Sequence, residues 1–147
     1  MLYISSDHGG FELKNKLVKL LQAKNIELID MGPATYKDGD DYPDYTVPLV
    51  RKVLEQPNNK GIVMCKNGVG VSMLANKFKC IRAALAFEPN QAASARTDDD
   101  TNILALPANY ISEDLAAEVV INWLTTPFSN EERHKRRLKK VSQLENL

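Results

Sequence analysis

The chain has 147 residues, 44% of them hydrophobic, with 19 basic and 19 acidic side chains and a formal net charge of zero. That size suits a single domain over residues 1–147, and the balanced charge removes any global pull toward nucleic acid or an anionic membrane. No apolar run approaches the roughly 20 residues a bilayer demands, and the start MLYISSDHGG lacks the basic-then-apolar order of a signal peptide, so no membrane partner and a cytoplasmic location are expected. Two cysteines are too few for a disulfide framework, and two histidines with two cysteines show no zinc-ligand spacing, so no metal and no other cofactor is invoked.

The first β-like run, Leu2–Ser5, leads through Ser6-Asp7-His8-Gly9-Gly10 into a helical stretch over Phe11–Lys24. The glycines permit a sharp turn and present amides at the helix start, a geometry that suits an anion or a polyhydroxylated ligand. Asp7 is able to accept sugar hydroxyls and His8 to donate to a ring oxygen or a phosphate. Equally, Asp7 is able simply to cap the helix, with His8 a surface residue. A second strand over Ile26–Asp30 is followed by the polar connection Lys37–Asp44, read as a mobile loop or part of a site rim, and by a helix over Tyr45–Gln56.

The third run, Gly61–Cys65, enters the Gly-rich turn Lys66-Asn67-Gly68-Val69-Gly70 and a helix over Val71–Lys77. A thiol there stands at a helix N-terminus, where the dipole and Lys66 favour the thiolate, while the turn amides are placed to stabilise an oxyanion. Those are the two needs of an aldose-ketose isomerase: a base beside a carbonyl and a hole for the enediolate oxygen. A buried cysteine at a strand end is also a common packing residue, and Cys80 is read as structural. Strands over Ile81–Phe87 and Asn102–Leu106 alternate with helices over Pro89–Arg96 and Ser112–Leu124. A basic last helix covers about Asn130–Glu145, and its Arg133 and Arg137, one turn apart, either grip a phosphate or form a solvated helix end.

Strands joined by helical crossovers lie parallel, which predicts an α/β chain: a three-layer α/β/α sandwich with a five-stranded parallel sheet and an extra C-terminal helix. Ligands of such sheets bind beyond the carboxyl ends of strands, and the segments expected there are Asp7–Gly10, Gly32–Pro43, Cys65–Gly70, Glu88–Pro89 and Asp98–Asn102.

In order and spacing, Ser6-Asp7-His8-Gly9-Gly10-Phe11-Glu12-Leu13-Lys14, Asp41-Tyr42-Pro43, Cys65 through Asn76-Lys77-Phe78, Ile81-Arg82-Ala83-Ala84, Glu88-Pro89, Asp100-Thr101-Asn102 and Arg133-His134 with Arg137 resemble the type B ribose-5-phosphate isomerase family, with its allose- and galactose-6-phosphate relatives. The resemblance covers nearly the whole chain. It implies a Rossmann-like sandwich working without metal or organic cofactor on a small-molecule sugar phosphate. It also implies a homodimer, with pairing into a tetramer left open, in which the C-terminal helix, about residues 129–147, reaches the partner's site. By the same resemblance Cys65 is the base, Gly68, Val69 and Gly70 form the anion hole, Asp7 and His8 contact the sugar, and Arg133, His134 and Arg137 belong to the phosphate grip.

The departures are equally specific. Lys66 and Asn67 stand where the family has Gly then Thr or Ser, so Asn67 replaces a proton-relaying hydroxyl. Asp98 and Asp99 stand where it has a ring-opening histidine followed by asparagine, and Asn109 where it often has a phosphate-holding arginine. Asp98 is therefore expected to open the ring only if it holds a proton, Asp99 to meet sugar hydroxyls, and Lys66 to restore positive charge. A six-carbon sugar phosphate, or a relative that binds sugar phosphate without turning it over, are the alternatives to ribose 5-phosphate isomerisation.

Overall fold

A computed structural model describes residues 1–145. Its five strands are β1 (Leu2–Ser6), β2 (Leu28–Asp30), β3 (Lys60–Cys65), β4 (Ala83–Leu85) and β5 (Ile103–Pro107), all parallel in the order β2-β1-β3-β5-β4. The helices are α1 (Phe11–Ala23), α2 (Tyr42–Leu54), α3 (Val69–Ala75), α4 (Pro89–Thr97), α5 (Glu113–Thr125) and α6 (Glu132–Leu144). This is the expected α/β sandwich. Residues 146 and 147 of the expected C-terminal helix lie outside the described residues.

The central strands β1 and β5 are buried at every position, as is β3 beyond Lys60, because helices cover both faces of the sheet. Side chains alternate along a strand, so Ile62 and Met64 of β3 meet Leu17, Leu21 and Trp123 of α1 and α5. Val63 and Cys65 point to the opposite face, among Leu49, Val50 and Val71 of α2 and α3. Trp123 is fully buried, and its indole N–H donates to Thr101 Oγ1 at 2.9 Å.

Where boundaries differ from the sequence pattern, local capping decides. Asn25 adopts φ 57° and Ile26 N–H bonds back to Leu21 O at 2.9 Å, so Ile26 closes α1 rather than opening β2. Helix α2 starts at Tyr42, three residues early, because Pro43 sits in the first turn, where its missing N–H costs nothing. Strand β4 is shortened at both ends: Arg82 N–H donates to the Asn102 side chain and Phe87 N–H to Gln91.

Candidate active site

Strands β1 and β3 are neighbours whose following connections run to opposite edges of the sheet, the switch point beyond whose carboxyl ends sheets of this kind take their ligands. After β1 the chain makes one 3-10 turn, His8–Gly10, capped by Asp7, whose Oδ1 accepts Gly10 N–H at 3.2 Å. A Cβ on Gly10 would stand 2.8 Å from Met64 O, so only glycine lets this turn lie directly on β3. Lys66 packs beside Gly9, which brings the turns after β1 and β3 into contact.

Cys65 ends β3 on the α2/α3 side, 5% exposed, immediately before the exposed Lys66 and Asn67. Its Sγ receives the N–H of Gly68 at 3.2 Å. That contact needs Gly68 at φ 72°, and a Cβ there would come within 2.5 Å of Leu85 and 3.0 Å of the Leu106 carbonyl carbon. Asn67 turns its Oδ1 inward, 3.0 Å from Val69 N and 3.7 Å from the thiol. Its carbonyl thus shapes the turn at the position where the family resemblance puts a proton-relaying hydroxyl.

The unpartnered amides of the turn lie one step further on. With Gly68 N–H on sulfur and Val69 N–H on Asn67, the next amides, Gly70 and Val71, are the ones without a hydrogen bond among the described residues. The Tyr42 ring packs against Gly70, its Cε1 and Cζ 2.9 Å from where a Cβ on that residue would be.

His8 is held by Asp40. Asp40 Oδ1 accepts both His8 N–H, at 2.7 Å, and the ring Nδ1, at 2.9 Å, from a side chain only 3% exposed. The hydrogen bond from Asp40 raises the imidazole pKa above its ordinary value, with burial and Lys66 opposing and Asp7 assisting. Burial pushes Asp40 upward, but the backbone and ring bonds from His8, with the Tyr45 hydroxyl, outweigh it and hold the carboxyl below the usual range. Burial raises Asp7, although His8 and the turn amides pull it back. Asp40 and Tyr45 went unnamed at the sequence level, because nothing in KDGDDYPD marks which acid turns inward.

The residues expected to complete the site lie elsewhere. The Asp98–Asn102 segment precedes β5: Asn102 O accepts Gly61 N–H at 2.9 Å, at the start of β3, and Arg82 and Arg96 clamp Asp100 at 2.8 and 2.9 Å. Placing this segment beyond a strand's carboxyl end is therefore corrected, since α4 has carried the chain back to the amino end. The rise of about 3.3 Å from each of the six residues of β3 to the next puts the two ends about 17 Å apart.

His134 is also corrected: it is buried, with Nδ1 2.7 Å from Ser129 Oγ and Nε2 3.7 Å from Asp98 Oδ1, so it anchors α6 rather than facing a ligand. Asp98 and Asp99 are exposed, as are Arg133 and Arg137 on α6, Arg133 pairing with Glu131 at 2.7 Å. Asn109 N–H donates to Lys66 O at 2.9 Å, so Lys66 stands beside the position where the expected arginine is missing.

Comparison with known proteins agrees with this arrangement. The family model described as Ribose/Galactose Isomerase matches residues 2–141. Ribose-5-phosphate isomerase B of Mycoplasma genitalium, solved with bound ribulose-5-phosphate, superposes with a TM-score of 0.94 at 35% identity, covering 99% of this chain and 95% of that one. A ribose 5-phosphate isomerase of Thermotoga maritima superposes with a TM-score of 0.92 at 40% identity and 97% coverage of both chains. The ribose-5-phosphate isomerase B of Mycobacterium tuberculosis is 31% identical over 144 residues, 98% of this chain and 89% of its own length. A match of such extent, on a fold whose strand ends bring Cys65 and the Asp7–His8 turn together, places the chain in the ribose/galactose isomerase family.

Proposed function

We propose that this protein is an aldose-ketose isomerase that interconverts ribose 5-phosphate and ribulose 5-phosphate through an enediolate. The observation that carries the reading is the Cys65 thiol, met by Gly68 N–H at 3.2 Å, at the end of β3 whose following residue, Lys66, packs against Gly9 of the Asp7–Gly10 turn. In the forward direction the thiolate removes the proton from C2, and that electron pair forms the C1=C2 bond as O1 takes negative charge. The amides of Gly70 and Val71 stabilise that oxygen; the thiol then returns the proton to C1, which takes up the C1=C2 pair, while the O2 proton passes directly to the neighbouring O1 as C2=O2 forms. Asn67 holds the turn; with its carbonyl engaged it carries no proton between O1 and O2.

Phosphate recognition is assigned to Arg133 and Arg137 of a second copy, with Lys66 contributing from the first. The separation of the two residue groups at opposite ends of β3 supports a homodimer with shared sites, in which Asp98 and Asp99 arrive with the partner's arginines. The apolar side of α6 supports the same assembly: Val141 and Leu144 are exposed along a groove of 790 Å³ that also includes Phe78 and Ile81. Among the described residues no helix is long and apolar enough to cross a membrane.

The test is the rate of ribulose 5-phosphate formation from ribose 5-phosphate. The parent protein converts it, and Cys65→Ala lowers kcat by at least about a hundredfold. Equal rates in the two proteins remove Cys65 as the base.

A further inference from the structure

Ribose 5-phosphate is a closed hemiacetal for most of its time in solution, so an isomerase acting on it needs an acid at the ring oxygen before any C2 proton is accessible. The family position for that acid holds Asp98 here, exposed and 3.7 Å from the buried His134. We propose that His8 is the ring-opening acid of this enzyme and that Asp40 is its positioning residue, fixing Nδ1 so that Nε2–H faces the substrate. The inference rests on the isomerase reading above.

Three observations carry it. A single carboxylate oxygen, Asp40 Oδ1, takes both the backbone N–H and the ring Nδ1 of His8, so the imidazole has one orientation and one tautomer. Nε2, on the far side of the ring, makes no hydrogen bond among the described residues, and the side chain is 17% exposed. Asp7 lies alongside: one oxygen of Asp7, one of Asp40 and a ring nitrogen of His8 all fall within 4.8 Å of one another.

Such a pair brackets a hemiacetal carbon, which bears the ring oxygen and the anomeric hydroxyl together. In the step, Nε2–H gives its proton to O4 as the C1–O4 bond breaks, and the electron pair of that bond stays on O4. The anomeric hydroxyl loses its proton to the Asp7 carboxylate as C1=O1 forms, and Asp7 passes that proton to water. The local charge suits this assignment better than a phosphate subsite: Asp7 and Asp40 offset His8 and Lys66, leaving no surplus positive charge for a dianion. The pull of Asp40 keeps the imidazole protonated to higher pH than a free histidine, as an acid at neutral pH requires.

Ribulose 5-phosphate provides the control, because its O5 carries the phosphate and it has no ring to open. Purified parent, Asp40→Asn and His8→Gln proteins are assayed for turnover of ribose 5-phosphate and for exchange of the C1 proton of ribulose 5-phosphate with solvent deuterium, which passes through the enediolate and no ring, and the ratio of the two kcat values is taken within each preparation, so that any unfolded fraction cancels. Both variants are expected to lower that ratio at least about tenfold relative to the parent. In the parent the ratio falls as pH rises through the His8 titration, which Asp7, Asp40 and Lys66 all face, and Asp40→Asn moves that fall to lower pH.

An unchanged ratio in both variants, or a rise in KM on both substrates at constant kcat, overturns the inference. A lowered ratio in His8→Gln alone overturns the part given to Asp40. A parent inactive on both substrates overturns the isomerase reading instead.

Discussion

In the reaction proposed above the Cys65 sulfur carries the proton, and as one buried atom beside Val63 and Val71 it adds only modestly to the core. Cys65→Ala is therefore expected to lose about a thousandfold in kcat at a stability cost of about 1 kcal/mol or less, read by steady-state kinetics and urea unfolding. Gly68 behaves oppositely: at φ 72°, against Leu85 and the Leu106 backbone, Gly68→Ala strains the turn and is expected to cost about 2 kcal/mol together with activity. The His8–Asp40 pair gives stability a pH signature. Because Asp40 raises the His8 pKa above 6.5, its contribution is full below that value and is lost as pH rises through the folded-state value. Asp40, held below 3.8, contributes above that value and loses its share as pH falls through its lowered pKa. Thermal melting across pH is expected to show both limbs, and Asp40→Asn to flatten the alkaline one. Of these residues, Cys65, Asp7 and His8 were legible because glycines and strand ends flank them. Asp40 was not, since its selection among four nearby acids depends on a contact 32 residues away in sequence.

All five strands and six helices were legible as elements, because apolar runs and amphipathic stretches alternate with turn residues along the whole chain. Their ends were less so, since an αL cap at Asn25 or a proline in the first turn of α2 overrides periodicity locally. One inter-element tie was missed altogether. Lys14 of α1 is 0% exposed and pairs with Asp30 at the end of β2 at 2.6 Å. Asp30→Ala leaves that ammonium buried without its carboxylate and is expected to cost about 3 kcal/mol in denaturant unfolding. The exposed Lys52–Glu55 pair, of similar length at 2.8 Å, is expected to contribute about 0.5 kcal/mol or less.

For the whole molecule, sequence order concealed which end of the sheet each loop occupies. Asp98 follows a helix and not a strand, and that alone sends it to the amino end, away from Cys65. A dimer that reunites the two groups makes a direct prediction. Cys65→Ala and Arg137→Ala proteins, each inactive alone, are expected to recover about a quarter of parental activity when unfolded together and refolded at equal amounts, because half the dimers are mixed and each has one intact site. Absence of recovery would place all catalytic groups within one chain.

The lone indole makes these steps visible. Trp123 is the chain's one tryptophan, sealed from water and tied through Thr101 to the stretch that carries Asp98 and Asp99. Its emission should lie toward the blue in the native protein and move red as that stretch loosens, giving a label-free optical gauge of the region that the proposed dimer would share between subunits.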